Sequence, residues 1–588
     1  MASVNTDLLC YMSRKYYTNE RNVQIVLSVL KANGIKKVIA SPGTTNITLV
    51  ASMQQDSWFE VYSSVDERSA AYMACGMSAE SGEPVVLSCT GATASRNYMS
   101  GLTEAYYRKL PILAITSNQG PGRVGHLVAQ NIDRTCIPND IAVCSVHVPT
   151  VKDKEDEWYC TTEVNRAVLE LTRRGGGPVH INLSTTYSDD FSVTELPETR
   201  IVRRITAFDA RPAMPKGRIA VFIGSHKRWT QKETEALDSF CSTHNAVAFC
   251  DHTSGYKGKY RVLFSLVSGQ VEYWIKLRKL DLLIHIGEVS GDYYSLALSA
   301  AQVWRVSEDG DLKDTVRRLT HIFEMPEVHF FRKYSEKLQP GSDTYLKECR
   351  AKYTEVYNKM PDIPFSNIKM AKYLAPKLPA GCQFHLGILN SLRSWNFFEI
   401  PESVESFCNV GGFGIDGNLS ALIGSALVNP DKLYLAVLGD LAFFYDMNSL
   451  GNRHLPKNIR ILLINNGRGT EFRNYGHKGH KFGEAADPYI AAAGHYGNKS
   501  NALVRHYAED LGFEYATATN MSEFEQVAEK FVSPTLTGRP LLLEVFTDSV
   551  DESNALEITR NYMRIDLATQ KEAKKSNSLI GKIFGKNK

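Results

Sequence analysis

A carboxylate, a carboxamide and a glycine-rich turn follow two apolar segments in the last third of the chain. Asp440 directly follows LYLAVLG (433–439), and Asn466 opens a turn directly after IRILLIN (459–465). If these segments are adjacent parallel strands, their carboxyl ends bring both side chains to one edge of a sheet. Oxygen donors of this kind suit Mg²⁺, which also takes phosphate oxygens and water. The spacing therefore predicts a magnesium site that faces a bound phosphate group.

The backbone around Asp440 favours the same ligand. Gly439 lets a phosphate approach the main chain, and a helix predicted over 445–451 offers its N-terminus to an anion. Taken singly, Asp440 could be a helix-capping aspartate and Asn466 a turn-forming asparagine, and both alternatives stay open. Their joint occurrence at this spacing favours the metal site.

Glu67 is the second candidate for chemistry. It follows the strand-like VYSSV (61–65) and precedes a helix of small residues around 70–79. An isolated acid in the string DER (66–68) is most often a partner in a surface ion pair. In an apolar pocket, however, a carboxyl group can share a proton with a ring nitrogen, which is acid–base chemistry.

Composition excludes several classes of protein. The chain has 588 residues, 67 basic and 64 acidic, for a formal charge of +3, with 43% hydrophobic and 22% charged residues. These values exclude disordered and fibrous classes and argue against nucleic acid as a partner. The 11 cysteines form no C-x-x-C pair, and no apolar run approaches the roughly 20 residues of a membrane span. We therefore expect a cytoplasmic enzyme.

Strands that alternate with helices predict an α/β fold of three doubly wound parallel sheets. A helix predicted over 22–34 places Val23, Val26 and Leu30 on one face. Predicted strands lie at about 37–41, 84–91, 111–117, 175–184, 219–225, 280–288, 301–309, 383–387, 406–410, 433–439, 459–465 and 541–546. The expected divisions are 1–195, 196–335, a linker at 336–365, 366–550, and a basic tail at 551–588.

A family resemblance supports these predictions. GDLAFFYDMN (439–448), followed by Asn466, resembles the GDG…NN signature of thiamine diphosphate-dependent enzymes. Its details are most similar to the 2-succinyl-5-enolpyruvyl-6-hydroxy-3-cyclohexene-1-carboxylate synthases. Further matching motifs, in the expected order, are SPGTTN (41–46), VDER (65–68), TGATASRN (90–97), QNID (130–133), NSL (390–392) and GIDG (414–417). The resemblance spans about residues 20–550 and implies pyrimidine-binding, central and diphosphate-binding domains.

The resemblance also implies the roles of the site residues. Asp440, the Asn466 side chain and the Arg468 carbonyl would hold Mg²⁺ against the diphosphate, and Glu67 would bond the aminopyrimidine ring. Further implied cofactor positions are Asn97, Gln130, Asn390, Ser391, Gly414, Ile415, Gly439, Leu441, Ala442 and Gly469. Plain core packing is the alternative for Ile415, and a helix cap for Asn390 with Ser391. Glu67 and Asp440 of opposite subunits would meet one cofactor, so a homodimer or homotetramer is implied.

The implied activity is decarboxylation of a 2-oxo acid that depends on thiamine diphosphate and Mg²⁺. The remaining fragment would be transferred to an acceptor (a carboligase) or released as an aldehyde. Two alternatives stay open. Gly412-Phe413-Gly414-Ile415-Asp416-Gly417 (412–417) is a literal G-x-G-x-x-G, which would indicate an NAD(P)- or FAD-dependent oxidoreductase. The second alternative is a catalytically silent regulatory subunit that binds the cofactor. The retention of Glu67 argues against it.

The chain departs from the synthase pattern where that family grips carboxylates with arginines. Thr44-Thr45 replace Ser-Arg, and Trp395 and Val410 stand where arginines are expected. We therefore expect a different acceptor and a smaller donor, such as pyruvate or phosphonopyruvate. In the loop 471–490, His477 and His480 are candidates for an acid–base pair or an anion grip that suits a phosphorylated or nucleotide-bearing acceptor; a solvated basic loop is the alternative.

The tail ends in KKSNSLIGKIFGKNK (574–588). Its basic and apolar residues could lie on a membrane surface. A solvated, frayed terminus is the preferred interpretation.

Overall fold

The computed structural model describes residues 16–134, 137–270, 277–291, 298–336, 338–495 and 500–564. These residues group into two compact units. The first contains the described residues up to Ile205 together with 311–322, and the second contains 206–310 and the described residues from Phe323 onward. The three-domain division predicted from the sequence stays a prediction, but the predicted fold class is confirmed, because three parallel sheets alternate with helices.

The first unit is built on a six-stranded sheet of order β2-β1-β3-β4-β6-β5, in which all neighbouring strands are parallel. Its strands are β1 Lys37–Ala40, β2 Glu60–Ser63, β3 Val85–Thr90, β4 Ile112–Asn118, β5 Cys144–Val148, β6 Val179–Ser184 and, outside this sheet, β7 Arg203–Thr206. Its helices are α1 Arg21–Ala32, α2 Ile47–Gln54, α3 Glu67–Ser81, α4 Ala92–Asn97, α5 Met99–Arg108 and α6 Lys154–Glu170.

Apolar side chains of the sheet point alternately into two cores. Val38 and Val86 join the cluster that contains α1, whereas Ile39 and Leu87 join the cluster that contains α3. This alternation follows from the two-residue repeat of a strand. The predicted apolar face of α1 is confirmed, because Val23, Val26 and Leu30 are buried in the first cluster.

The central sheet includes five parallel strands of the second unit in the order β10-β9-β8-β11-β12. The strands here are β8 Ile219–Ile223, β9 Val247–Cys250, β10 Arg261–Leu263, β11 Lys279–Ile286, β12 Ser299–Ser307 and β13 Leu319–Glu324. The helices are α7 Gln231–His244, α8 Ser265–Ser268, α9 Glu327–Ser335 and α10 Thr344–Asn358. The segment predicted as a linker, 336–365, therefore contains a helix, and α10 buries Tyr345, Leu346, Cys349 and Val356.

The third sheet has the order β15-β14-β16-β17-β19-β18, and all its neighbouring strands are parallel. Its strands are β14 Gln383–Leu386, β15 Glu405–Phe407, β16 Tyr434–Gly439, β17 Ile459–Asn465, β18 Glu514–Ala518 and β19 Leu541–Phe546. Its helices are α11 Asn367–Leu374, α12 Asn390–Trp395, α13 Asn418–Val428, α14 Asp440–Asp446, α15 Leu503–Asp510 and α16 Met521–Val532. β16 and β17 are neighbours, as the sequence predicted.

Two predictions about this region are wrong. The helix predicted over 445–451 begins earlier, because α14 starts at Asp440, directly after β16, and 447–451 is a short 3₁₀ helix. The predicted tail is not solvated throughout, since residues 549–564 are helical and Ala555 and Met563 are buried. The basic segment 574–588 lies outside the described residues.

Within the described ranges, no helix is long and apolar enough to cross a membrane.

Candidate active site

A cavity of about 410 Å³ lies at the carboxyl edge of the third sheet. It lies among the ends of β14, β16 and β17, where open parallel sheets bind ligands. All the site positions predicted in this part of the chain line it except His477 and His480. These lining positions are Asn390, Ser391, Gly414, Ile415, Gly439, Asp440, Leu441, Ala442, Asn466, Arg468 and Gly469.

Asp440 is the central charge of this cavity. It is 4% exposed, its Oδ1 accepts the Leu441 N–H at 2.8 Å, and its Oδ2 accepts the Gly467 N–H at 2.7 Å. Burial raises the pKa of Asp440 to about 6, against the opposing effect of these backbone hydrogen bonds. Among the described residues no cationic side chain pairs with it, so the geometry fits a carboxylate that receives a metal ion.

The turn after β17 supplies the other oxygen donors. Asn466 Oδ1 accepts the Thr470 hydroxyl at 2.8 Å, which orients the amide. The Arg468 side chain is engaged elsewhere, in an ion pair with Asp487 at 2.7 Å. Its predicted role uses the backbone carbonyl, so this pair is compatible with it. No group of three or more His, Cys, Asp and Glu side chains in the described part of the chain could hold a metal.

Carboxylate, amide and carbonyl oxygens are hard donors that leave coordination positions for phosphate and water, which is the preference of Mg²⁺. The residues present therefore fit a magnesium ion with a diphosphate. Phe413 and Leu389, which also line the cavity, adopt positive φ angles of 55° and 69°. Strained backbone of this kind concentrates at ligand sites.

Sequence reasoning missed Glu552, a second buried carboxyl group in the wall of this cavity. It is 8% exposed on the helix 549–564 and accepts the Asn367 N–H at 2.9 Å and the Thr547 hydroxyl at 2.8 Å. Burial raises the pKa of Glu552 to about 7, and the charge of Asp440 adds to this effect. The sequence signal that could have revealed this helix is the helical spacing of four residues, Ala555, Leu556, Thr559 and Met563.

Glu471 was also missed, and it lines both this cavity and a second one of about 200 Å³. Its two oxygens accept Arg393 Nη1 and Nη2 at 2.7 and 3.0 Å. This bidentate pair holds the pKa of Glu471 below its usual range, although burial opposes the shift. Arg393 is therefore already neutralised by a side chain of the protein.

The two candidate histidines are in different surroundings. His477 lines the second cavity, and its Nδ1 accepts the Gly479 N–H at 2.9 Å. His480 lines neither cavity, and its Nδ1 is 2.9 Å from the Arg473 carbonyl oxygen. The catalytic role of both stays a prediction, with geometry that favours His477.

The remaining predicted positions belong to the first unit. Glu67 opens α3 and is half-buried, with Asp66 as the N-cap. Asn97 ends α4, and Gln130 lies in a loop with φ of 63°; both are exposed. The roles of these three residues toward a cofactor stay predictions.

At the positions where the chain departs from the synthase pattern, most of the side chains are buried in the protein interior. Trp395 is fully buried and donates its indole N–H to Asn367 Oδ1 at 3.2 Å, and Val410 is 3% exposed. Thr45 is buried and donates to the Ser117 carbonyl at 2.6 Å. Thr44 is exposed. The expected arginines are thus replaced by side chains that pack the interior.

The glycine motif 412–417 lacks the contacts of a dinucleotide fingerprint. It follows β15, an edge strand, rather than a strand inside the sheet. A Cβ at Gly412 would meet no atom within 4 Å, and one at Gly414 would meet only the Asp416 side chain. The glycines are therefore not required by close helix–strand packing, which is one of their functions in that fingerprint.

Comparison with known proteins agrees with the site. Residues 21–137 match the family described as "Thiamine pyrophosphate enzyme, N-terminal TPP binding domain", and this segment contains Glu67, Asn97 and Gln130. The chain thus resembles thiamine pyrophosphate enzymes, as its motifs indicated.

Its curated relatives include enzymes named 2-succinyl-5-enolpyruvyl-6-hydroxy-3-cyclohexene-1-carboxylate synthase. That of Bacteroides thetaiotaomicron is 29% identical over 567 residues, which cover 92% of this chain and 98% of the relative. That of Phocaeicola vulgatus is 29% identical over 570 residues, with the same coverage of 92% and 98%. That of Desulfotalea psychrophila is 28% identical over 539 residues, 88% of this chain and 96% of the relative. The likeness therefore extends over nearly the whole of both proteins.

Proposed function

We propose that this protein is a thiamine diphosphate- and Mg²⁺-dependent enzyme that decarboxylates a 2-oxo acid and joins the remaining fragment to an acceptor carbonyl. One observation carries the proposal: the predicted diphosphate-domain positions line one cavity around a buried carboxylate that has no cationic partner among the described residues. The comparisons support the cofactor class, and the name synthase, which the relatives carry, supports transfer rather than release.

In this proposal, Asp440, the Asn466 amide oxygen and the Arg468 carbonyl hold Mg²⁺, and the ion holds the diphosphate. Ile415, which lines the same cavity, would support the cofactor by apolar contact. When bound, thiamine diphosphate supplies the electron sink that accepts the charge left by departing carbon dioxide. The burial of Asp440 keeps competing water away from the metal and strengthens its electrostatic hold.

Glu67 has a separate task in this proposal. Its carboxyl group shares a proton with a nitrogen of the aminopyrimidine ring, and so holds the proton that the cofactor must exchange. Because the family resemblance implies a cofactor held between two subunits, we propose that Glu67 acts from the partner subunit of a homodimer.

We also propose a donor with fewer charges than the several carboxylates implied by the synthase resemblance. Trp395 and Val410 are buried apolar residues at two clamp positions. Arg393 and Arg468 are each paired with a carboxylate of the protein. A lost charged hydrogen bond costs roughly 1.5–3 kcal/mol, so multiple free carboxylates would bind poorly here. Pyruvate meets this condition fully, and phosphonopyruvate has a single carboxylate but adds a phosphonate.

The test is a panel of 2-oxo acids assayed for carbon dioxide release, with and without aldehyde or ketone acceptors. We expect release that requires thiamine diphosphate and Mg²⁺, and an acceptor-dependent adduct visible by mass spectrometry. Asp440→Ala is the inactive control. Efficient adduct formation from 2-oxoglutarate and isochorismate would refute the small-donor part, and the absence of thiamine diphosphate binding would refute the whole.

A further inference from the structure

Arg134 is a buried guanidinium group in the first unit that has no ionic partner among the residues that the structure describes. It is 4% exposed, and its Nη2 donates to Asn182 Oδ1 at 2.5 Å. Its Nε and Nη1 have no hydrogen-bond partner in the described structure. Burial lowers the pKa of Arg134 to about 10, and the positive charge of Arg96 adds to this effect. Within the described ranges no carboxylate forms an ion pair with it.

This arrangement is costly for the protein alone. A buried charge without an ionic partner loses its hydration, and here the hydrogen bond to Asn182 is the one hydrogen bond that the described residues provide in return. Buried donors are normally satisfied, so each unsatisfied group calls for a reason such as an unseen ion or ligand. Asn182 is itself fixed, because its amide nitrogen lies 3.3 Å from His147 Nδ1. The guanidinium group is thus held in place by one neutral contact only.

The group lies at the carboxyl edge of the first sheet, the edge at which parallel sheets bind ligands. A Cβ added to Gly91, which directly follows β3, would stand 3.3 Å from Arg134 Nη1 and 3.4 Å from the Gln130 carbonyl oxygen. The nearest atom would be the Ser117 carbonyl oxygen at 3.2 Å, so only glycine lets the backbone approach the guanidinium this closely. Ala92 and Gln130, on either side, adopt positive φ angles of 59° and 63°.

Glu67 lies near the same edge. The pKa of the buried Cys89 thiol is raised mainly by burial, and the charges of both Arg134 and Glu67 act on it in opposite directions. Glu67 opens α3 after the end of β2, and Gly91 follows the end of β3, so both stand at the carboxyl edge of the same parallel sheet. The exposed side chain of Gln130 lies at its outer surface.

We propose that Arg134 binds an oxyanion of the donor substrate, a carboxylate or phosphonate, through its unsatisfied N–H groups beside Gly91. This inference rests on the proposed function and adds to it the residue that replaces the missing arginine clamp. A single arginine suits a donor with one or two anionic groups. The negative charge of the donor supplies the partner that the folded protein lacks.

The test compares Arg134→Met and Arg134→Lys with Arg108→Gln, a control at an exposed arginine of the same unit that pairs with Glu104 at 3.4 Å. Each protein is loaded with thiamine diphosphate and Mg²⁺, and its melting temperature is measured with pyruvate, phosphonopyruvate or inorganic phosphate. KM and kcat are measured with the donor that is turned over. Cofactor affinity is measured separately by calorimetry.

We expect Arg134→Met to melt at or above the wild-type temperature, because it removes an uncompensated buried charge. It should lose the stabilisation by the anion and raise KM roughly ten- to hundredfold, as expected for a lost charged hydrogen bond. Arg134→Lys should restore part of the anion response, and Arg108→Gln should behave as wild type. A response to pyruvate assigns the carboxylate, and one only to phosphonopyruvate and phosphate assigns the phosphonate.

If Arg134 had a purely structural role, the opposite results would be expected for Arg134→Met. Arg134→Met would then melt several degrees lower and retain the anion response, and this result would overturn the proposal. Failure of the proposed function is distinguishable, because it appears as absent cofactor binding in the wild type as well. In that case the anion response of the melting temperature still decides whether Arg134 binds an oxyanion.

Discussion

The carboxylate of Asp440 is hydrogen-bonded to the backbone N–H of Gly467 at 2.7 Å, so the ends of two adjacent strands are tied together at the cavity. Asp440 follows β16 and Gly467 follows β17. This bond fixes the carboxylate relative to the turn that carries Asn466 and Arg468. The candidate metal donors are therefore preorganised by the protein, which reduces the cost of binding an ion.

Replacement of Asp440 by Asn should weaken Mg²⁺-dependent binding of thiamine diphosphate. The amide keeps the shape and one acceptor but loses the charge that attracts the metal, so we expect a ten- to hundredfold rise in Kd, on the order of one lost charged interaction. Titration calorimetry measures it. Asp446→Asn, at the other end of α14 where the carboxylate accepts the Ser420 N–H at 2.6 Å, is the control. Equal affinity in Asp440→Asn and wild type would contradict the metal assignment.

Glu67→Gln should separate binding from turnover. The amide cannot exchange a proton with a ring nitrogen, so we expect kcat to fall by about 10²–10⁴-fold while the Kd for thiamine diphosphate changes little. Steady-state carbon dioxide release and calorimetry give the two quantities. Glu80→Gln, at an exposed position of the same helix, should leave both unchanged. A Glu67→Gln enzyme with normal kcat would remove Glu67 from the mechanism.

The free energy of unfolding of the cofactor-free protein should fall as the pH rises between the unfolded-state and folded-state pKa values of Glu552. Its pKa is about 7 in the folded state against 4.5 for the ordinary group. The folded state therefore holds more protons than the unfolded state between these values, and stability present below 4.5 is lost by about 7. The change is on the order of 3 kcal/mol. Urea unfolding of Glu552→Gln across this range should give a flatter profile, and an unchanged slope would contradict the shift.

An arginine reintroduced at position 395 should not restore a carboxylate clamp. Trp395 is fully buried, so Trp395→Arg both opens a cavity and buries a charge, at a cost of about 3 kcal/mol or more. Thr44→Arg, at an exposed position, should change stability by less than about 0.5 kcal/mol. Denaturant unfolding compares the two. Similar stability of both variants would mean that the Trp395 site can reorganise around a charge.

His477→Ala should raise KM or lower kcat more than His480→Ala does. His477 lines the cavity that shares Glu471 with the proposed cofactor cavity, whereas His480 lines neither. Steady-state kinetics with the best donor of the panel makes the comparison. If both variants retain wild-type kcat and KM, the histidine loop has no part in catalysis or substrate binding.

Sequence patterns were sufficient to predict that Asp440 and Asn466 lie together at one edge of the sheet, because the end of a strand is a local feature of the sequence. Each residue follows an apolar run, and the sheet order places those runs side by side. The start of α14 was predicted too late, since the apolar LAFF (441–444) can continue a strand or begin a helix. The carboxylate of Asp440 accepts the next N–H and supports the helical start.

Glu552 and Arg134 could not be found in the same way. Glu552 reaches the cavity from a helix far along the chain, and its importance comes from long-range packing. Arg134 is distinguished by the absence of an ionic partner among the described residues of a folded interior, and residue spacing in the sequence cannot show this. Residues whose importance depends on their three-dimensional surroundings can be identified only from the structure.

The helix 549–564 supplies Glu552 to the cavity wall, and it is synthesised after every strand of the third sheet. A chain that stopped before residue 552 would contain the third sheet and both candidate metal-binding turns, but its cavity would lack the wall that Glu552 provides.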